Sequence, residues 1–390
     1  MSFIKLPCAD FISILNPIAR LACSNKKSNG VLEFARILIT NKGGKLAAYA
    51  SASNGGQSMA RRIENFESDI DMLGEDKEVL LSGEKLLSIV SAYTSFDANE
   101  PVKISWDDFS ENGGLITAKR SKMKIDTADP SAYPAPPKLS AEHSVLTIPL
   151  KRLQDVLVQA RGSVAVNNST RPALNGVNIK LNCSAKVISL TATDGYRVYD
   201  NKLDVTNSKN DFNIVIPTKL IDMIQGLKVS DASELVRLRC DTNSCEITFK
   251  STLIRSQLLD NKFPDLSELF LNEPDWLMDL EQKDMADALG RLSAAIDKRL
   301  PAIELLIDDT TQETHLRTVQ GGKTLGEDYL KSKVTLKPEN ALSVNLNFLM
   351  QAVANVTSKI ARIGQHPKDK YLVIQGENET SRMIVLPLRT

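Results

Sequence analysis

Each third of this 390-residue chain opens with the same pair of elements, a short apolar strand followed by an amphipathic helix. The strands are predicted at residues 3–6, 145–148 and 276–280, and the helices at residues 9–23, 150–161 and 283–296. Apolar residues recur in each helix at spacings of three and four, which places them on one face. These faces consist of Phe11, Leu15, Ile18 and Ala22, of Leu150, Leu153, Leu157 and Ala160, and of Met285, Leu289, Leu292 and Ile296.

A second motif recurs later in each third, where an apolar strand runs directly into a helix. Ser82, Thr218 and Asn345 are the candidate N-caps of these helices, because their side chains can accept hydrogen bonds from free backbone N–H groups. The spacing between equivalent strand positions is 135 residues and then 128, which is too long for a solenoid repeat. The pattern predicts an α+β chain of three duplicated domains, each with two helices covering an antiparallel sheet.

Domain boundaries are predicted at the proline-rich segment 129–137 and at the polar segment 272–275. The predicted domains are therefore residues 1–138, 144–271 and 275–390. Near the end of the first and second domains, Tyr133-Pro134 is echoed by Phe263-Pro264, 130 residues later. Pro17 lies inside the first predicted helix, where it removes a backbone hydrogen bond, so a kink or a break is expected there.

The amino-acid composition limits the classes of protein to which this chain can belong. Forty-eight basic residues balance 48 acidic ones, and the hydrophobic share of 42% with 25% charged residues is that of a soluble globular protein. The sequence has no apolar run near the roughly 18 residues that span a bilayer, and its N-terminus lacks a signal-peptide pattern. A cytoplasmic protein without a membrane partner is expected. Because no signal peptide is predicted, the five cysteines are expected to be reduced. Cys240 and Cys245 have no second pair of Cys or His residues nearby that would complete a metal site.

Residues 190–198 contain the strongest local signal in the middle third. Alternating polar and apolar residues predict a strand, and Asp194-Gly195 then predicts a hairpin turn with the return strand beginning near Tyr196. Asp194 could also be a catalytic acid, but no base or second carboxylate recurs beside it, and a turn-forming Asp is favoured. Phosphate-binding loops, nucleophile elbows and zinc-ligand pairs are missing from the sequence, so no catalytic residue, metal or cofactor is predicted.

Basic residues recur on or beside the polar faces of the repeated helices. A charged face is usually only solvated, yet six helices in three equivalent units favour a concerted basic surface that contacts phosphates without reading sequence. The candidate phosphate-contacting residues are Arg20, Lys26, Lys27, Lys85, Arg161, Arg171, Lys219, Lys228, Arg291 and Lys359.

Four motifs, taken together with the three-unit period, resemble the bacterial sliding clamp, the beta subunit of DNA polymerase III. They are Leu-Asn-Gly at residues 174–176, Thr-Ala-Thr-Asp-Gly-Tyr-Arg-Val at 191–198, Phe-Pro-Asp at 263–265 and Leu-Pro-Leu-Arg at 386–389. Each motif is weak alone, but the match covers the whole chain in the right order.

The resemblance implies three tandem clamp-type domains on curved sheets and a head-to-tail homodimer that forms a closed ring, with Ile296 near the dimer seam. Such a ring encircles double-stranded DNA non-specifically, with the basic residues named above facing it. It acts as a processivity factor for the DNA polymerase III alpha subunit, and it is loaded by a clamp loader. Its expected location is the cytoplasm, in association with the nucleoid.

The resemblance also implies an apolar cleft between domains two and three that binds short peptides of polymerase, loader and other proteins with a clamp-binding motif. Its wall would consist of Leu174, Thr193, Gly195, Tyr196, Arg197, Val198, Pro264, Leu269, Leu300, Ile384, Leu386, Pro387, Leu388 and Arg389. Glu268, Tyr371 and the two leucines near the C-terminus depart from the residues common in the family, which predicts a different peptide preference.

Two other readings are open from the sequence. The chain could be a clamp-fold scaffold or adaptor that binds peptides without encircling DNA. It could also be a hydrolase that uses Asp194, although that needs a base which the sequence does not provide.

Overall fold

Strand-to-helix junctions without a connecting loop recur throughout the structure, a computed structural model. It describes residues 2–24, 30–42, 45–69, 75–107, 113–134, 139–259, 263–296, 301–308, 311, 313–320, 323–338 and 340–388. Within these ranges, no helix is both long and apolar enough to cross a membrane.

The helices and strands follow one order in each third of the chain. The first third contains β1 (Ser2–Pro7), α1 (Cys8–Cys23), β2 (Phe34–Lys42), β3 (Lys45–Ser53), β4 (Gln57–Ile63), β5 (Glu67–Ser68), β6 (Lys77–Ser82), α2 (Gly83–Ala92), β7 (Pro101–Trp106), β8 (Gly114–Ala118), β9 (Ser121–Ile125) and β10 (Thr127–Ala128). The middle third contains β11 (Ser144–Pro149), α3 (Leu150–Arg161), β12 (Gly176–Asn182), β13 (Val187–Thr193), β14 (Arg197–Asp204), β15 (Asn207–Lys209), β16 (Phe212–Pro217), α4 (Thr218–Gln225), β17 (Leu235–Cys240), β18 (Ser244–Phe249) and β19 (Thr252–Gln257). The last third contains β20 (Asp275–Glu281), α5 (Gln282–Ser293), β21 (Ala302–Ile307), β22 (Thr314–Gln320), β23 (Lys323–Leu330), β24 (Ser332–Val334), β25 (Leu342–Asn345), α6 (Leu346–Ala354), β26 (Ile360–Gln365), β27 (Leu372–Gly376) and β28 (Arg382–Val385).

The chain divides into two compact units, of which the first comprises Met1–Leu150 and Asp222–Leu258. One of its sheets has the strand order β5-β1-β7-β8-β9, and the strands of the other sheet that belong to this unit run β10-β6-β2-β3-β4-β19-β18-β17-β11. Helix α1 packs on α2 and on strands β2, β3 and β4, with Phe11, Leu15 and Ile18 fully buried. The antiparallel pairing of β4 with β19 joins the first third to the middle third and places Ser58 opposite Arg255.

The second unit comprises Lys151–Ile221 and Leu259–Thr390. One sheet has the order β16-β12-β13-β14-β28-β27-β26-β20-β24, and the other has the order β23-β22-β21-β25. Helix α5 packs on α6 and β23, and α6 packs on β28. The antiparallel pairing of β14 with β28 joins the middle third to the last and places Val198 opposite Ile384.

The predicted strand–helix openings are confirmed in all three thirds, and the apolar faces of the three opening helices are buried as far as Leu292. The prediction was wrong at the end of the third helix, which stops at Ser293, so Ile296 lies outside it and is half-buried. The physical reason is a tightened last turn: the N–H groups of Ala294 and Ala295 donate to carbonyls three residues earlier, which ends the α-helical ladder.

The capping predictions were correct at two of three helices. Ser82 Oγ accepts from the Lys85 N–H at 3.5 Å, and Asn345 Oδ1 accepts from the Asn347 N–H at 2.9 Å. Thr218 is instead the first residue of α4, and Pro217 at the end of β16 precedes the helix.

Pro17 does not break α1, which continues from Cys8 to Cys23. A proline at position 17 leaves the carbonyl of Ser13, four residues earlier, without its helical N–H donor. The guanidinium of Arg61 on β4 donates to that carbonyl through Nη1, and its Nε donates to Thr252 Oγ1 at 2.9 Å. A tertiary contact therefore replaces the hydrogen bond that the proline removes.

Candidate peptide-binding site

The β13–β14 hairpin has the turn that its sequence predicts. Gly195 adopts φ +95°, and Asp194 Oδ1 accepts from the N–H groups of Tyr196 and Arg197 at 3.0 and 3.2 Å. Thr193 Oγ1 donates to the Arg197 carbonyl at 2.7 Å and accepts from the Gly195 N–H at 3.0 Å. The return strand begins at Arg197, one residue later than predicted, because Asp194 binds the N–H of Tyr196 within the turn.

Arg197 connects this hairpin to helix α6. Its Nε donates to Asp194 Oδ2 at 2.9 Å, and its Nη1 donates to Gln351 Oε1. The guanidinium carbon also lies 4.3 Å from the centre of the Phe348 ring, within cation–π range. The three contacts hold Arg197 in place, so the neighbouring Tyr196, which is 65% exposed, projects from a rigid turn.

Beside the hairpin, Val198, Tyr371, Val373 and Ile384 form a buried apolar cluster. The partly buried side chains packed against this cluster are Leu266, Leu269, Phe270 and Trp276. Because Val198 and Ile384 are opposite each other across β14 and β28, the cluster combines residues from the middle and last thirds of the chain.

Tyr371 fills the centre of this cluster and is only 2% exposed. Its O–H donates to the Leu269 carbonyl at 2.7 Å, and its ring stacks on His366 with centres 4.5 Å apart. Burial raises the pKa of the phenol, with a smaller contribution from Asp369, so the group remains a hydrogen-bond donor at neutral pH. A large side chain here fills volume between the short 3₁₀ turn Ser267–Phe270 and the sheet.

The segment after β28 supplies an exposed apolar edge next to Tyr196. The Leu386 N–H donates to the Tyr196 carbonyl at 2.9 Å, and the Leu388 N–H donates to the Ser343 carbonyl at 2.9 Å. Leu386 is 37% exposed and Leu388 is 38% exposed, although their backbone is held on both sides. A cavity of about 220 Å³ lies beside this segment, lined by residues that include Leu342, Leu372 and Pro387.

The predicted cleft residues differ in their location. Thr193, Arg197, Val198, Leu269 and Ile384 lie in the hairpin and the buried cluster, and Gly195, Tyr196, Leu386, Pro387 and Leu388 form its exposed edge. Leu174 is 3% exposed in the 3₁₀ turn Pro172–Asn175, and Pro264 is half-buried. Leu300 and Arg389 lie outside the described residues.

Sequence reasoning missed Phe348 and Gln351, the two α6 residues that hold Arg197. Their spacing of three places them on one helical face, but that pattern identifies no partner on a distant hairpin.

The described candidate phosphate-contacting residues are all exposed, and they differ in their partners. Lys85 pairs with Asp126 at 2.8 Å, Arg291 with Asp328 at 2.7 Å and Lys359 with Glu281 at 3.1 Å. Arg20 donates to Asn16 Oδ1 at 2.9 Å. Arg161 is the last residue of α3. Among the described residues, no carboxylate pairs with the side chains of Arg171, Lys219 or Lys228. Lys26 and Lys27 lie outside the described residues.

Asp194 and the cysteines, which the sequence raises as possible catalytic or metal-binding groups, have defined environments in the structure. Asp194 uses both carboxylate oxygens within the turn and toward Arg197. All five cysteines are free thiols; Cys240 and Cys245 lie opposite each other on β17 and β18, and burial raises the pKa of Cys240 to about 12. Among the described residues, no three His, Cys, Asp or Glu side chains are grouped so as to hold a metal ion.

The exposed apolar edge over the buried cluster is a candidate docking site, and the sheets beside it continue from one third of the chain into the next. Residues 147–265 match the family model described as "DNA polymerase III beta subunit, central domain". The chain is 24% identical over 388 residues to the beta sliding clamp of Streptococcus pneumoniae, covering 97% of both chains. It is 24% identical over 327 residues to that of Staphylococcus aureus, covering 83% of this chain and 82% of the relative.

Among solved structures, the DNA polymerase sliding clamp of Bacillus subtilis superposes with a TM-score of 0.85 at 19% identity, over 100% of this chain and 99% of that chain. The fold is therefore that of the bacterial sliding clamps. The resemblance to the DNA polymerase III beta subunit, predicted from the sequence, is confirmed by the relatives, the family model and the fold together.

Proposed function

We propose that this chain is a DNA sliding clamp, a processivity factor that encircles duplex DNA and tethers the replicative polymerase. The observation that carries this proposal is the end-to-end match, over 97% of each chain, to a relative named beta sliding clamp. The match of residues 147–265 to a central domain supports three domains, at 1–138, 144–271 and 275–390.

The assembly that suits this function is a head-to-tail homodimer with Ile296 near its seam. A heterologous interface that closes after two copies forms a ring, and a closed ring retains DNA by topology rather than by tight contacts. Zero formal charge fits such a weak grip, since each tight phosphate contact would slow sliding. The ring would act in the cytoplasm at the nucleoid without catalysing a reaction itself.

Partners would be the DNA polymerase III alpha subunit, a clamp loader and other proteins with a clamp-binding peptide. The docking site is the cleft around Tyr196, Val198, Ile384 and Leu386. Its combination of an exposed apolar edge with a rigid turn supports this role, since a preorganised surface loses little entropy on binding a peptide.

The ring is tested by loading the protein onto nicked circular DNA with a clamp loader and ATP, and then isolating the complex at high salt. Retention on the circle, followed by rapid loss once a restriction enzyme linearises it, is the expected result. Equal loss from circular and linear DNA, with peptide binding intact and the mass of a monomer in solution, would instead establish the scaffold function.

The cleft is tested with Leu386→Ala, because Leu386 is partly exposed and its loss should not unfold the chain. Removal of an aliphatic anchor that contributes roughly 1.5–3 kcal/mol should weaken binding of a polymerase-derived peptide tenfold or more. Leu325→Ala is the matched control, a 43% exposed leucine on β23. Equal peptide affinity in both variants would contradict the proposed docking site but would not bear on the proposed ring.

A further inference from the structure

The β3–β4 hairpin in the first unit has the same turn as the β13–β14 hairpin of the cleft. Ser51-Ala-Ser-Asn-Gly55 corresponds to Thr191-Ala-Thr-Asp-Gly195, 140 residues later. Gly55 has φ +87°, and its N–H donates to Ser53 Oγ at 3.2 Å, as the Gly195 N–H donates to Thr193 Oγ1. Asn54 Oδ1 accepts from the Gln57 N–H at 2.8 Å, as Asp194 Oδ1 accepts from Arg197.

The equivalence extends to the strands beyond each turn. β4 pairs antiparallel with β19 as β14 pairs with β28, and the hairpin correspondence places Ser58 where the cleft has Val198. Arg255 lies opposite Ser58, in the position that Ile384 occupies opposite Val198. The same geometry therefore carries polar groups in the first unit and apolar groups in the second.

A cavity of about 180 Å³ lies at this position in the first unit, and we call it the first-unit pocket. Its apolar lining includes Leu38, Leu253 and Pro134, and its charged lining is Arg36 and Arg255. Tyr133-Pro134, which borders the pocket, is the sequence echo of Phe263-Pro264 beside the cleft. The volume is below the roughly 300–1,000 Å³ of pockets that hold drug-sized molecules, so it suits one or two side chains.

The charges around the first-unit pocket favour an anionic ligand. Arg36 pairs with Glu78, but Glu246, which is 2% exposed, is shared by Arg239 and Arg255. Two guanidinium groups on one carboxylate leave one positive charge uncompensated in this group. The side chain of Arg36 is 26% exposed and that of Arg255 is 22% exposed, so both are accessible to a small group.

Tyr133 adds a hydrogen-bond donor beside these charges. Burial raises the pKa of its phenol to about 12, against smaller lowering effects from the Ser53 backbone and the Arg36 charge. The Arg36 guanidinium carbon lies 6.0 Å from the centre of the Tyr133 ring. The phenol is thus protonated at neutral pH, and its oxygen is buried at the border of the pocket.

We propose that the first-unit pocket is a second peptide-binding site of each chain, specific for a short acidic segment. A carboxylate faces Arg36 and Arg255, and a neighbouring aliphatic side chain packs against Leu38, Leu253 and Pro134. The class of ligand, a short linear peptide, rests on the proposed clamp function. The preference for an acidic ligand rests on a difference between the two sites. The first-unit pocket has Ser58 and Arg255 at the positions where the cleft has Val198 and Ile384.

The test uses the full chain and two fluorescein-labelled peptides, acetyl-Leu-Asp-Leu-Asp and its uncharged match acetyl-Leu-Asn-Leu-Asn, followed by fluorescence anisotropy. The acidic peptide should bind at least tenfold more tightly than the amide peptide. Ser58→Trp fills the pocket and should weaken its binding tenfold or more. Leu386→Ala, which alters only the cleft, should leave it unchanged.

Because Ser58→Trp adds bulk next to a sheet, its urea midpoint is measured in parallel, and Arg36→Gln provides a second variant with less change in volume. Arg36→Gln should reduce the preference for the acidic peptide at least threefold. Failure of the acidic peptide to saturate, or binding that neither variant weakens, would overturn the proposal. Loss of binding in Leu386→Ala would assign the peptide to the cleft and overturn it as well. Retention on circular DNA is measured separately, so either failure is distinguishable from failure of the clamp function.

Discussion

Arg197 engages three chemical groups with one guanidinium: the Asp194 carboxylate, the Gln351 amide and the Phe348 ring. A planar guanidinium can form two directed bonds and stack at the same time, whereas an ammonium group is a compact point charge. At residue scale, the rigidity of the cleft edge therefore depends on this arginine and not on positive charge alone.

Arg197→Lys should consequently lower the free energy of unfolding by about 1–2 kcal/mol, since one hydrogen bond and the ring contact are lost together. Urea unfolding followed by circular dichroism measures the change. Arg62→Lys, on an exposed arginine of β4, is the matched control and should shift the midpoint far less. Equal shifts in the two variants would mean that charge, not geometry, holds the turn.

Asp200 is a buried carboxylate on β14, and the Thr191 hydroxyl donates to it at 2.8 Å. Burial raises the pKa of Asp200 despite lowering effects from Thr191, Lys202 and Arg382. Because the folded-state pKa exceeds the unfolded one, its favourable contribution is present below the unfolded pKa and is lost as the pH rises through the folded pKa. At neutral pH the ionised group therefore opposes folding.

Asp200→Asn should be more stable than the native chain at pH 7, and this advantage should shrink as the pH falls through the folded-state pKa of Asp200. Thermal melts between pH 3 and pH 8 measure the difference. Asp204→Asn, on the exposed end of the same strand, should show no such advantage. A gain that grows on acidification would contradict the raised pKa.

At the scale of elements, helix α1 survives an internal proline because a strand supplies the missing donor. Arg61 of β4 binds the Ser13 carbonyl, the acceptor that Pro17 leaves unpaired. A carbonyl without its helical donor would weaken this turn of the helix, and hydrogen bonds to charged groups contribute about 1.5–3 kcal/mol. The contact thus couples a helix to a sheet within the first unit.

A double-mutant cycle tests this coupling. Arg61→Met should lower the free energy of unfolding by about 2 kcal/mol in the native chain. In a Pro17→Ala background the same change should lower it by less, because the residue 17 N–H can then donate to Ser13. The free energies come from urea denaturation, and identical losses in both backgrounds would show that Arg61 does not replace the missing bond.

The repeated turns are a second feature at the level of helices and strands. Asn54-Gly55 and Asp194-Gly195 form the turns of matching hairpins. The second strand of each hairpin pairs with a strand from the next third of the chain. Duplication has therefore preserved a backbone motif while the side chains facing it diverged, from Val198 and Ile384 to Ser58 and Arg255. Two sites of one geometry can in this way select different peptides.

In the proposed ring, contact with DNA would depend on which basic residues are free to reach phosphates. Lys85, Arg291 and Lys359 have carboxylate partners, whereas among the described residues Lys219 and Lys228 have none. A paired lysine must leave its carboxylate before it can contact a phosphate, so part of the gain is offset.

The double variant Lys219→Ala with Lys228→Ala should therefore reduce the salt dependence of duplex binding by about 0.9 in log–log slope per lysine. Lys85→Ala with Lys359→Ala should reduce it by less. Fluorescence anisotropy on a short labelled duplex at several salt concentrations gives the slopes, with Lys333→Ala on β24 as a control outside the helices. A larger change in slope from Lys85→Ala with Lys359→Ala would contradict the prediction that the unpaired lysines contribute more to DNA binding.

The repeated elements of this protein are predictable from the amino-acid sequence. Helical and strand periodicities, caps such as Asn345 and the Asp194-Gly195 turn are local, since each depends on residues within a few positions of one another. The motifs at 191–198 and 386–389 further indicated the family resemblance and supplied most residues of the proposed cleft. These features were predictable because propensity and turn chemistry act over short distances.

The contacts between residues distant in the chain are visible only in the folded protein. Arg61 reaching the Ser13 carbonyl, Arg197 reaching Gln351, and Tyr371 filling the cluster beside Leu269 each join residues more than 40 positions apart. Periodicity carries no information about such partners, because they depend on how strands pair and how helices lie on them. The first-unit pocket also depends on contacts between distant residues. Its turn is predictable from the sequence, but Arg36, Tyr133 and Arg255 line one cavity because of the order of the strands in the sheet.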